Sequence, residues 1–289
     1  MEICTFDTEL TADCFEAVPD HENFVAVGTY QFYPQEDARK GRLYLMEAGL
    51  DGFKELQRLD LAGILDMKWA SSEELACALS NGSIQRFKLT NNRLDAHSSY
   101  TIDPDAIALS LDVFGGKTVV SLSNGNVGLL DSEENLTVWK AHFCEAWCAS
   151  LDKHDQSVSI AYTGSDDCSW CIWDTRVQPT RPSSKSTFHQ AGVCFVASDP
   201  HRPGILATGS YDETLAMWDT RNMECPVSTF QAKSGVWRLR WHPKRPGILL
   251  AACMHDGFKL FDSTDLSSIA EVAALPTQSI AYGCDFVGE

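Results

Sequence analysis

The 289-residue chain predicts an all-β fold, a β-propeller of the seven-bladed type with its last blade incomplete. Three observations carry that expectation. The stretches Tyr162 to Arg176 (YTGSDDCSWCIWDTR) and Ala207 to Arg221 (ATGSYDETLAMWDTR) align at a constant offset of 45 residues, with Thr163/Thr208, Gly164/Gly209, Asp167/Asp212 and Trp173/Trp218 in register. The turn Ser80-Asn81-Gly82-Ser83-Ile84 returns as Ser123-Asn124-Gly125-Asn126-Val127, 43 residues later. Short strand-like runs bounded by turn residues fill the remaining length. A repeat of that size is one small sheet that cannot bury its faces alone and so stacks radially on its neighbours. Residues 1–289 are therefore expected to form one domain.

Each element follows from local pattern. Thr5 to Ala17 reads as two short strands around a polar turn, the first with no earlier partner. Phe24 to Phe32 is a near-continuous apolar strand, and Arg42 to Met46 alternates after the polar insertion Pro34 to Gly41; these make blade one. Blade two has Ile64 to Trp69, Leu75 to Ser80 and Ile84 to Leu89, with Asn81-Gly82 expected in a type I′ turn that needs positive φ at both central residues. Blade three repeats that hairpin behind Ile107 to Val113. Blade four runs from Glu145 to Asp174 and blade five from Val193 to Asp219. Blade six has Val236 to Trp241, Ile248 to Cys253 and Phe258 to Asp262, with Phe261 at the Trp position. Ile269 to Ala274 follows as an outer strand, and Ile280 to Val287 predicts the inner strand of a seventh blade whose two middle strands are absent. The unpartnered amino-terminal strand would close that blade from outside.

Charge narrows the partners. Lys and Arg number 23 against 40 Asp and Glu, a net charge of -17, which repels a phosphate backbone and excludes nucleic acid as a direct ligand. A basic protein surface is the natural complement. The amino terminus MEICTFDTEL lacks a secretory pattern and no run is long enough to cross a bilayer, so a cytoplasmic protein with access to the nucleus and no membrane partner is expected. The 11 cysteines, odd in number and scattered, read as small buried residues kept reduced, with no disulfides.

The repeat that closes on Trp-Asp resembles a WD40 blade. In such a blade a His before the inner strand, a hydroxyl on the second strand, an Asp in the next turn and the Trp form one buried hydrogen-bonded chain. The sets here are His142, Thr163, Asp167, Trp173 and His189, Thr208, Asp212, Trp218. A lone His, Thr and Asp could suggest a hydrolase triad, but recurrence at blade spacing makes this set structural. Blade six departs from it. His255 stands where the Asp belongs, and the preceding loop (QAKSGVW) has no His, so His255 is expected at the rim beside Met254 and Asp256, free for function.

No nucleophile elbow, H-E-x-x-H, phosphate loop or dinucleotide fingerprint occurs, and Cys168-Ser169-Trp170-Cys171 has no second pair at zinc spacing. No cofactor and no metal are expected. The face where inner strands begin should present Tyr30, Gln31, Asp66, Glu145, Trp147, Asp166, Tyr211, Trp237, Arg238, Met254 and His255. Aromatics, carboxylates, an Arg and a His suit a pocket for a modified side chain, and equally a docking face. Trp173-Asp174-Thr175-Arg176 and Trp218-Asp219-Thr220-Arg221 resemble the W-D-x-R motifs of substrate receptors of cullin-4 ubiquitin ligases.

The whole chain also resembles the diphthine methyl ester hydrolases of diphthamide biosynthesis. The residues carrying the likeness are DTELTAD at Asp7 to Asp13, GTYQ at Gly28 to Gln31, ILDMKW at Ile64 to Trp69, ALSLD at Ala108 to Asp112 and EAW at Glu145 to Trp147. They continue as ATGSYDE at Ala207 to Glu213, WDTRNM at Trp218 to Met223, GVWRLRWHP at Gly235 to Pro243 and AACMHDGFK at Ala251 to Lys259. The resemblance implies a cytosolic ester hydrolase that demethylates the diphthine intermediate on a histidine of translation elongation factor 2. On that expectation His255 is the general base on water, Arg238 or backbone N–H groups stabilise the oxyanion, and Tyr211 completes the catalytic set. Trp237, Glu145, Trp147, Asp166 and Tyr30 then bind substrate. A non-catalytic scaffold and a cullin-4 receptor stand as alternatives. Family members end with a further strand pair carrying a last Trp motif, where this sequence ends at Phe286-Val287-Gly288-Glu289.

Overall fold

The computed structural model describes residues 4–288. Their strands form six antiparallel sheets in chain order, five of four strands and one of five. The fold is an all-β WD40 β-propeller with six blades, which corrects the expected seven. The chain divides into two compact units, Met1–Leu109 with Asp285–Glu289, and Ser110–Cys284.

In the first unit, blade one begins with Ala12–Ala17 as its inner strand, paired to Phe24–Thr29. The long strand Ala38–Gly49 follows and carries Gly52–Ala62 along its other edge, while the short Gln31–Tyr33 pairs with its first residues. Blade two is Ile64–Ser71, Glu74–Leu79, Ser83–Thr90 and Arg93–Thr101. Each sheet alternates its side chains, and the inward sets meet: Cys14, Ala26, Leu43 and Leu45 of blade one share a core with Ile64, Met67, Cys77 and Phe87 of blade two. Neither blade could bury those residues by itself.

Blade three starts at Ala108–Phe114 and continues through Lys117–Leu122, Asn126–Leu130 and Leu136–Lys140. Blade four is Ala146–Leu151, Ile160–Ser165, Trp170–Asp174 and Ser184–Ser186. Blade five is Val193–Ser198, Ile205–Ser210, Thr214–Asp219 and Ser228–Gln231. Blade six is Arg238–Trp241, Ile248–Ala252, Phe258–Asp262 and Ala270–Leu275. Close packing between blades in this second unit depends on glycine. A Cβ on Gly164 would lie 2.8 Å from Cys148 Sγ and Val193 Cγ1, and one on Gly209 would lie 2.8 Å from the Val236 carbonyl. No side chain fits where one blade's second strand passes the next blade's inner strand.

The two repeated polar chains form as expected. In blade four His142 Nδ1 lies 3.1 Å from Asp167, His142 Nε2 lies 2.7 Å from Thr163 Oγ1, and Trp173 Nε1–H donates to the same hydroxyl at 2.8 Å. In blade five the corresponding distances are 3.0, 2.8 and 2.9 Å. Because Trp donates to the threonine oxygen, the hydroxyl proton is left to donate to His Nε2, which assigns the other ring proton to Nδ1 and the Asp. Burial by itself would raise the Asp167 and Asp212 carboxyls, but hydrogen bonds from His142 with Ser169, and from His189 with the Gln190 N–H, hold both well below the ordinary 3.8.

Three expectations fail here. Residues 4–11 form no strand, so the closing outer strand expected there is not formed, and Ala12–Ala17 alone remains of the expected pair, as the inner strand of blade one. Ile280 to Val287 also forms no strand. In the second unit Ala281 N–H donates to the Met254 carbonyl at 2.9 Å, and Arg240 Nε–H donates to the Cys284 carbonyl at 3.2 Å. In the first unit the Asp285 carboxylate accepts the Ala17 N–H at 2.9 Å and Val287 packs on Val25, Val27, Tyr44 and Met46. Alternating apolar residues make a strand only beside a strand that completes the ladder, and these backbone groups find single partners instead. The Asn-Gly turns are also not of type I′: only Gly82 (φ +72°) and Gly125 (φ +78°) have positive φ, and each glycine N–H closes a turn onto the carbonyl three residues before it. That is a three-residue connection with glycine at its left-handed end.

Candidate substrate-binding site

The site lies in the second unit, where the inner strands of blades four and five begin with a bulge. In blade four Ala146 pairs with Ser165 and Cys148 with Gly164, leaving Trp147 unpaired between them. In blade five Cys194 is the corresponding extra residue. Trp237 occupies the equivalent place in blade six, just before Arg238 starts the ladder, with its N–H donating to the Ala252 carbonyl at 3.0 Å. A bulge bends the strand and re-aims its extra side chain away from the alternating faces.

The two indoles meet. Trp147 and Trp237 have ring centroids 5.5 Å apart at 61°, and Trp237 and Tyr282 lie 5.4 Å apart at 74°, both edge-to-face. All three rings are partly exposed. The Asp166 carboxylate accepts the Trp147 Nε1–H at 3.2 Å. Gly192 makes this possible, because a Cβ there would stand 2.6 Å from Asp166 Oδ1 and 3.5 Å from Trp147 Nε1. Asp166 is held from behind as well, its N–H donating to the Glu145 carbonyl at 3.0 Å. Both carboxylate-bearing residues are exposed.

The remaining expected residues of the second unit make no ring contact with this cluster. Tyr211 is 53% exposed, with its N–H on the Gly192 carbonyl at 2.9 Å and its ring beside Gly235. His255 is exposed at the blade-six rim, its N–H donating to Ser234 Oγ at 3.2 Å, while Met254 beside it is buried. Tyr30 belongs to the first unit, where its ring lies over Gly63. Trp147, Trp237 and Asp166 are thus assembled, and Tyr282 joins them unforeseen. It follows the last blade, 45 residues after Trp237 and so at the repeat's own offset, inside the stretch Ile280 to Val287 that was expected only as a strand.

Two other motifs resolve locally. Cys168 lies in a turn at φ +62° and Cys171 in a strand, where burial pushes its thiol up to about 12. A thiol so far from ionising is a poor nucleophile or metal ligand. Arg176 folds onto Asp174 and Arg221 onto Asp219, each at 2.5 Å, so both exposed arginines of the W-D-x-R motifs pair within their own motif.

Comparison with known proteins decides the family. The WD40 family (WD domain, G-beta repeat) matches residues 133–174 and 182–219, the two blades with complete polar chains. Human diphthine methyltransferase is 37% identical, covering 98% of this chain and 74% of its own length. The diphthine methyltransferase homolog of Dictyostelium discoideum is 31% identical over 96% of this chain and 90% of its own. The chain belongs to the diphthine methyltransferase family. A solved chain from a mitotic checkpoint complex superposes with a TM-score of 0.73 over 98% of this chain at 18% identity, which speaks for the fold alone. Membership of the diphthine methyltransferase family places the chain in diphthamide biosynthesis. The family's name describes a methyl-transferring activity, and this overturns the expected ester hydrolase. An enzyme concerned with a methyl group remains. The roles of His255 as a base on water and of Arg238 as an oxyanion partner were drawn for hydrolysis and fall with it.

Proposed function

We propose that this chain acts on the methyl groups of diphthine, with a diphthine-bearing elongation factor 2 as its macromolecular partner and the cytoplasm as its place of work. The full-length likeness to diphthine methyltransferases carries the reading. The site is consistent with it: partly exposed rings beside a carboxylate, on an acidic chain of net charge -17, suit a modified and cationic side chain on a basic protein surface. Trp147, Trp237 and Asp166 bind in this reading, and Tyr211, Glu145 and His255 stand on the surrounding rim. Incubating the purified chain with diphthine-bearing elongation factor 2, and following the modified peptide by mass, tests it. A change of methylation state is expected; a folded chain that leaves the methylation state unaltered refutes it.

A further inference from the structure

We infer that Trp147, Trp237 and Tyr282, with the Asp166 carboxylate beside them, hold a quaternary ammonium group. The inference rests on the proposed function and deepens it, because it names the cationic, fully methylated nitrogen as the substrate feature that this face recognises.

The chain uses its aromatic rings in two ways. Trp170 and Trp218 touch edge-to-face at 5.1 Å and are both fully buried, as are Trp173 at 2% exposure and Phe261 at 0%, so those rings are packing. The Trp147–Trp237–Tyr282 chain has the same contact geometry but keeps ring surface open to solvent. A bulge brings Trp147 out of its sheet's alternation, at the cost of ladder pairing on that inner strand, and Trp237 stands just ahead of the blade-six ladder. Packing alone gives no reason for that arrangement.

The chemistry selects the ligand. An aromatic face carries the negative end of a quadrupole, and rings at different tilts offer a cation several such faces. Asp166 adds a full negative charge, oriented by the Trp147 indole N–H at 3.2 Å, and among the described residues no Lys or Arg pairs with it. Its neighbour in the fold, Glu145, is likewise exposed and unpaired with any described cation. A primary ammonium needs two or three direct acceptors when it leaves water. A quaternary one has no N–H to satisfy, presents methyl surface to the rings and needs only a counter-charge nearby, which is what stands here.

The test uses the full chain with choline as probe and 3,3-dimethylbutan-1-ol as its neutral isostere, read by the indole N–H resonances of Trp147 and Trp237. Choline should shift both resonances and bind about tenfold more tightly than the alcohol. Trp237→Leu should lose about tenfold of choline affinity. Asp166→Asn, an exposed change that leaves the fold intact, should lose choline affinity while binding the alcohol unchanged. Equal binding of the two probes, no binding of choline, or full affinity in Asp166→Asn each overturn the inference. The same preparations are tested on diphthine-bearing elongation factor 2. A chain that alters diphthine but ignores choline sinks the ammonium site and leaves the functional reading standing; one that binds choline but leaves diphthine untouched does the reverse.

Discussion

Thr208→Val tests the polar chain of blade five with almost no change in volume. The threonine hydroxyl joins His189 Nε2 at 2.8 Å and Trp218 Nε1 at 2.9 Å, and both rings are buried, Trp218 at 0% exposure. Valine fills the same space and returns neither bond. Each lost bond is worth about 1 kcal/mol net, and each buried group left without a partner costs about 1–3 kcal/mol, so a loss of about 2–4 kcal/mol is expected. That is a large part of an ordinary stability of about 5–15 kcal/mol. Urea unfolding followed by tryptophan fluorescence at neutral pH measures it; with a slope of about 3 kcal/mol/M the midpoint falls by about 1 M. Thr220→Val, beyond the same blade's third strand, is the control and should stay within about 0.5 kcal/mol. If Thr208→Val moves the midpoint no more than Thr220→Val does, the hydroxyl does not link the chain and the structural account of all four blade-five residues is wrong.

Three further outcomes follow from the same geometry. Asp167 and Asp212 are held below the ordinary 3.8, so their contribution is complete above that value and is lost as pH falls beneath it; urea midpoints should drop steeply below about pH 4, and less steeply in Asp167→Asn. Gly209→Ala drives a Cβ to 2.8 Å from the Val236 carbonyl and should cost about 1–3 kcal/mol, whereas Gly49→Ala, with nothing nearer than 3.7 Å, should leave the midpoint in place. Arg176→Ala with Arg221→Ala removes two exposed ion pairs and should not shift unfolding; a pull-down with cullin-4 adaptor shows whether these arginines dock, since lost binding supports that role and unchanged binding removes it.

The candidate site was legible in part. Trp147 and Trp237 stand out because each follows the start of an inner strand at blade spacing, and Asp166 because it opens the turn after a second strand. Their contact was not legible, since it depends on a bulge at Trp147 and on Trp237 standing just before its ladder, which pattern alone does not place. Tyr282 lies 45 residues after Trp237, at the repeat's own offset, but in a stretch that was expected only as a strand, so its ring went unnoticed.

From the chain's letters alone came the all-β repeat, most strand positions and the two buried polar chains. These are local or periodic: a strand shows its alternation, and a repeat at an offset of 45 shows its shared function. Tertiary structure decided the number of blades, the turn type at Gly82 and Gly125 and the ring cluster around Trp237. Each depends on a partner distant in sequence. Ile280 to Val287 has the composition of a strand and becomes none because no neighbouring strand completes its ladder, and Trp237 joins a ring cluster only where Trp147 and Tyr282 come to meet it.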